Sequence, residues 1–205
     1  MTRHDEGSNT NGYTGGPRSE TETVLTRSVV DDLVAEYEQE EPFDLVEREH
    51  VETLPPAFAA GEFGRRDAEW VVQWYYRRRS IPDAERRAAE DRFLENDHET
   101  VVDAITAAAA ATTLDEKLDR LTGLIGVDVL VASAFLAFTQ PDRYVAVGER
   151  EWRGLRAAGE LAESMPDPVT PADYERYLDA VSAVARRIDR DGWTVYRALW
   201  RLGGD

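Results

Sequence analysis

Three stretches of this sequence set residue types at spacings that could do chemistry. In "LIGVDV", Leu124 to Val129, Gly126 gives the backbone the freedom to turn tightly and to approach a ligand with no side chain in the way. The N–H groups that follow, at Val127, Asp128 and Val129, stand at the start of an apolar helix, where an anion such as a phosphate is hydrogen-bonded and favoured by the helix dipole. Arg143 and Arg150 come soon after and could flank a bound strand. In "YVAVGEREW", Tyr144 to Trp152, Glu149 and Glu151 are carboxylates able to move a proton or to stabilise a developing cation. In "WYYRRR", Arg77, Arg78 and Arg79 follow an aromatic cluster. That order suits phosphate contacts beside a stacked base, and equally a core helix whose basic end complements its own dipole.

The elements that must position these groups read as helices. An amphipathic stripe starts at Thr23 and runs through Val24, Leu25, Val29, Val30, Leu33, Val34 and Tyr37. The next stretch, "EEPFDLVEREHVETLPPAF", carries Pro42, Pro55 and Pro56 and is predicted to be a connector wrapping the body. Trp70, Val71, Trp74, Tyr75 and Arg78 then keep helical spacing, and two further helices are expected in "IPDAERRAAEDRFLEN" and "HETVVDAITAAAAA". Thr113 and Glu116 form a capping box ahead of Leu114, Leu118 and Leu121. The turn around Gly126 follows, with Asp128 well placed as an N-cap, and then an almost wholly apolar helix ends at Gln140-Pro141. Thr170 and Pro171 open another helix with Tyr174, Tyr177, Val181, Val184 and Ile188 on its stripe, and a last one runs from Trp193 to Leu202. No period-2 segment stands out. The fold class is all-α, with about eight helices.

Composition bounds the rest. The chain of 205 residues holds 41 Asp and Glu against 24 Lys and Arg, a net charge of −17. Lys117 is its single lysine, and it has no cysteine. An acid-rich, lysine-poor, cysteine-free chain fits the cytoplasm of a halophilic cell, where high salt screens carboxylate repulsion. Acidity then reports habitat more than partner, and global charge stops arguing against nucleic acid. Without cysteine there is no disulfide framework or thiolate zinc site, and His4, His50 and His98 lack partner ligands, so no metal and no cofactor is expected. No apolar run is long enough to cross a membrane and no export signal is visible. Residues 1–22, rich in Gly, Ser, Thr and Asn, are expected to be a disordered tail, and 23–205 a single helical domain in one body or two lobes.

The segment from Leu124 to Leu155 resembles the helix-hairpin-helix superfamily of base-excision DNA glycosylases, whose hairpin reads roughly Leu-Pro-Gly-Val-Gly-x-x-Thr-Ala. Leu124, Gly126, Val127 and Ala132 match that pattern, and "YVAVGEREW" stands where the family carries a Val-Asp-x-x-Val/Trp segment. "WVVQWYYRRR" and "RDGWTVYRALWRL" look similar to parts of small all-helical relatives, so the likeness reaches from Phe63 to Leu202. It implies a helix-hairpin-helix element at 114–139 and double-stranded or damaged DNA as the partner.

Two departures matter. Asp128 replaces the family's second glycine, and its carboxylate can fill the anion site a phosphate would use. Gly148 stands where the family has its catalytic Asp. Glu149 is then the nearest candidate, with Glu151 beyond it, although one residue along a helix turns a side chain by about 100°. Lys117 lies two positions off the register of the lysine that some members use, with Asp119 in that register. Enzyme activity is therefore left open. The sequence supports a DNA-binding relative of these glycosylases that has lost or relocated its acid, or a helical protein that kept the fold for packing or a partner and has no nucleic-acid role.

Overall fold

A computed structural model describes residues 23–204; the expected tail at 1–22 lies outside the described residues. Ten helices follow in order: α1 (Arg27–Glu40), α2 (Asp44–Ala60), α3 (Arg65–Arg77), α4 (Asp83–Phe93), α5 (His98–Ala110), α6 (Leu114–Thr122), α7 (Val129–Thr139), α8 (Glu149–Ala157), α9 (Pro171–Ile188) and α10 (Gly192–Leu202). There is no strand among the described residues.

The axis of the molecule is α7. From Leu130 to Thr139 every residue is buried, because "VLVASAFLAFT" is apolar on all faces and has no solvent side to offer. Helices α2, α3, α5, α6 and α9 pack around it. On the other side α10 gathers α1, α8 and α9, and one continuous buried cluster joins the two groups. The α8–α10 contact is close because Gly154 carries no side chain: a Cβ there would lie 2.6 Å from the Leu199 carbonyl. The capping pairs expected from sequence form as read. Glu116 N–H reaches Thr113, and Asp173 N–H reaches Thr170 with Pro171 in the first turn.

Three expectations are corrected. The first helix begins at Arg27 rather than Thr23, because the Thr26 hydroxyl accepts from Val29 N–H and caps it there. Helix α1 then packs on α10 of its own chain, with Val30 and Tyr37 fully buried.

The proline-bearing connector is helix α2. Its buried face is Asp44, Glu47, Leu54 and Phe58, at helical spacing but led by two carboxylates, so a search for apolar periodicity passes over it. Pro55 and Pro56 remove the N–H groups that the Val51 and Glu52 carbonyls would accept, and packing of Leu54 and Phe58 keeps the last turns helical nonetheless.

The third correction is the number of helices. The two beyond about eight are α2 and α8. Helix α8 buries Glu151, Trp152, Gly154 and Leu155, a stripe again broken by a charge and a glycine.

Candidate functional site

Gly126 has φ 77°, a conformation that favours glycine, and the turn between α6 and α7 depends on it. Its open side faces the chain itself. A Cβ at this position would lie 3.1 Å from the Phe93 amide nitrogen, so the close backbone approach is made by the end of α4. Asn96 locks the contact: its Nδ2 donates to the Ile125 carbonyl at 2.9 Å, and the Ile125 N–H donates to its Oδ1 at 2.9 Å. Asp128 is exposed and caps α7, its Oδ1 accepting from Val131 N–H at 2.9 Å. Val127 is buried and Val129 half-buried. Gly126, Val127 and Asp128 thus wall a shallow depression whose far side is Tyr76 and Arg92.

The segment before α8 is held differently. Tyr144 to Val147 run irregularly through the core, and every buried carbonyl there needs a donor. Three tyrosines supply them: Tyr174 to Val145, Tyr177 to Ala146 and Tyr75 to Val147, at 3.0, 3.0 and 3.1 Å. Ser133 of α7 accepts from the Val147 N–H at 3.0 Å. This lattice fixes where Gly148, the N-cap of α8, can stand.

Gly148 and Glu151 line a pocket of about 100 Å³ between the end of α3, the start of α8 and α10. Glu149 is exposed at its rim. Glu151 is buried, and burial pushes its carboxyl above the ordinary value, against the Arg78 charge, its own N–H and the Tyr196 hydroxyl, which hold it down. Trp74, Tyr196 and Trp200 wall the pocket beside Arg78. Four arginines, 78, 79, 150 and 153, line it against two glutamates, a positive balance inside a chain of net −17.

Arg78 is the central group; it stands just past the end of α3, in register with the apolar stripe as the sequence reads, and no partner for it was legible there. Its guanidinium lies 3.9 Å from the centre of the Trp200 ring, and Nη1 donates to the Tyr37 hydroxyl at 2.6 Å and to Glu47 at 3.3 Å. Glu47, fully buried, also accepts from Tyr37 at 2.8 Å, Trp74 at 3.1 Å and Arg197 at 3.1 Å. Sequence reasoning missed Glu47 because it lay in the supposed connector. The signal available was an arginine at i+4 from Trp74, which continues a buried stripe and so demands a buried acid.

The other expected groups are dispersed. Arg150 donates to the Trp200 carbonyl at 2.7 Å and stacks on that ring, so its Nε is spent on α10. Arg143 sits past the far end of α7, a helix about 16 Å long, against Tyr144. Lys117 is fully buried with Nζ 2.8 Å from the Ala108 carbonyl, and burial lowers its pKa. Trp152 is core, stacked on Tyr177. Of the arginines on α9 and its end, Arg187 pairs with Glu160 and Arg190 with Asp31.

A groove containing Leu130 of α7 meets the pocket at Arg79, Glu149 and Arg153, and carries Arg156 further along. Asp128 is near enough to raise the pKa of Tyr75 and Tyr76, each shifted mainly by burial. Among the described residues there is no group of three His, Cys, Asp or Glu that could hold a metal, and no helix long and apolar enough to cross a membrane. Comparison with protein-family models, with curated proteins and with solved structures returned no match.

Proposed function

We propose that this chain is a DNA-binding protein related to the helix-hairpin-helix base-excision glycosylases, working in the salty cytoplasm of a halophilic cell without the family's usual acid at position 148. The observation that supports this most is a run of arginines along one groove. The groove beside Leu130 and the pocket at Gly148 share Arg79, Glu149 and Arg153, and Arg156 lies further along. A duplex laid there would have its backbone near the arginines and one nucleotide near the pocket. A carboxyl group is still present close to Gly148, supplied by Glu151 from one turn along.

The test is binding of a labelled duplex with an abasic analogue across a salt series, comparing the wild type with Asp128→Gly. The expected result is measurable binding that weakens with salt and strengthens in the variant. Absence of binding by both proteins at moderate salt would overturn the proposal.

A second reading has its own observation. The open side of Gly126 is covered by α4 and the Ile125 N–H is taken by Asn96, so helix packing alone accounts for this turn. On that reading the protein has no nucleic-acid role, and the same salt series decides between them.

A further inference from the structure

The chain joins its helical body at the arginine groove. Thr23 N–H donates to the Ala157 carbonyl, at the C-terminal end of α8, at 2.9 Å, so residues 1–22 are attached there. The exposed positions of α8 are Glu149, Arg153, Arg156 and Ala157, and at about 100° per residue they fall on one strip of the helix. Glu149, Arg153 and Arg156 of that strip line the groove beside Leu130, together with Arg79. The point of attachment and the arginines of the groove are therefore on the same side of α8.

We propose that residues 16–22 of this chain are the occupant of the groove, laid antiparallel to α8 from Thr23 towards Gly148, and that they compete there with nucleic acid. The competitor rests on the DNA reading above; the occupant rests on the chain's own charges. Counting back from Thr23, the segment carries Glu22, Glu20 and Arg18. Counting back along the strip, α8 carries Arg156, Arg153 and Glu149. Acid, acid, base thus meets base, base, acid.

The spacings agree as well. Two residues of extended chain rise about 6.6 Å, and three or four residues of helix about 4.5–6 Å, so the two series stay in step within side-chain reach. A slip by one pair would set Arg18 against Arg153, which fixes the register. An exposed ion pair contributes little by itself. A segment covalently joined at Thr23, however, is present at an effective concentration of about millimolar, which a duplex in dilute solution does not match. Salt screens these pairs and the phosphate contacts alike, so the competition persists across a salt series.

The test uses the full chain, which has no cysteine, so Ser19→Cys takes a nitroxide label at one place. Amide signals of the ¹⁵N-labelled protein are expected to broaden along α8 as far as Glu149 and at Arg79. Glu20→Gln with Glu22→Gln confines the broadening to the neighbourhood of Ala157. In duplex binding without the label, the same paired substitution tightens affinity about threefold or more, the worth of two exposed ion pairs. Asp5→Asn with Glu6→Gln, an equal change of charge far from Thr23 in sequence, leaves affinity in place. Broadening that never passes Ala157, or that the paired substitution leaves unchanged, overturns the proposal, as does an equal gain in affinity from both pairs of substitutions. Duplex binding by a protein whose label never reaches Glu149 removes the segment from the groove and leaves the DNA reading intact. Broadening at Glu149 that Glu20→Gln with Glu22→Gln abolishes, in a protein that binds no duplex, keeps the occupant and removes that reading.

Discussion

The carboxylate of Glu151 occupies the space that a side chain at Gly148 would need. A Cβ built on Gly148 would lie 2.6 Å from Glu151 Oε2, closer than real atoms tolerate. Gly148 has φ −152°, an extended conformation open to any residue, so what glycine supplies here is room for the Glu151 carboxylate and not backbone freedom. The acid at the start of α8 and the absence of a side chain at its N-cap are one feature.

Gly148→Ala should therefore displace the Glu151 carboxylate and destabilise the fold by about 1–3 kcal/mol, the usual cost of overpacking. Gly148→Ala combined with Glu151→Ala should cost less than the sum of the two single changes. A double-mutant cycle from urea unfolding measures this, and strict additivity would show that the two positions do not compete.

Glu151 also sets a pH dependence. Its pKa is raised by burial in the folded protein. Between the ordinary glutamate value and the raised one, the folded chain keeps a proton that the unfolded chain has released. Stability must therefore fall as pH rises through that window and level off above it. Glu151→Gln lacks this dependence. The variant's melting temperature should gain on the wild type as pH rises above the usual glutamate range, and a constant difference from pH 4 to pH 8 would count against the shift.

Arg78 and Glu47 are a buried pair at 3.3 Å, with side chains 3 % and 0 % exposed. Without Arg78, Glu47 keeps Arg197 at 3.1 Å but loses one of its two cations, so Arg78→Met should cost about 1–3 kcal/mol. Arg78→Met with Arg197→Met should cost more than the sum of the two single changes, because only then is the buried carboxylate stranded. Urea unfolding at fixed high salt is the measurement, since exposed pairs are screened there and a buried one is not.

The single lysine is enclosed by structure. Lys117 Nζ donates to the Ala108 carbonyl at 2.8 Å, at the C-terminal end of α5 where a cation is favoured. Borohydride reduction in the presence of abasic-site DNA should give no covalent adduct through Lys117. Lys117→Met should leave that carbonyl without its donor and cost about 1–3 kcal/mol. A trapped adduct lost in Lys117→Met would contradict the placement.

These residues also show what the sequence could and could not convey. Helices with an unbroken apolar stripe or a capping pair, such as α6, α7 and α9, were legible because burial and local hydrogen bonding act on residue type directly. Helices α2 and α8 were not, because each buries a carboxylate, at Glu47 and Glu151, and a charge is buried only when a partner far along the chain meets it. Arg78 lies 31 residues from Glu47, and no local pattern carries that pairing. The turn at Gly126 was legible as a turn. That α4 would cover it was not, since the contact with Phe93 is set by how two helices pack.

Asp128 separates capping from charge. Its carboxylate holds Val131 N–H at 2.9 Å and stands on the face proposed to meet DNA. Asn caps a helix as well as Asp does but carries no charge. Asp128→Asn should therefore keep the stability of the wild type, whereas Asp128→Ala should lose about 1 kcal/mol. If the charge obstructs a phosphate, duplex affinity rises in both variants to a similar degree, although only one is destabilised. If affinity follows stability instead, or is unmoved in both, the carboxylate acts only on its own helix and the turn serves the packing of α6 and α7.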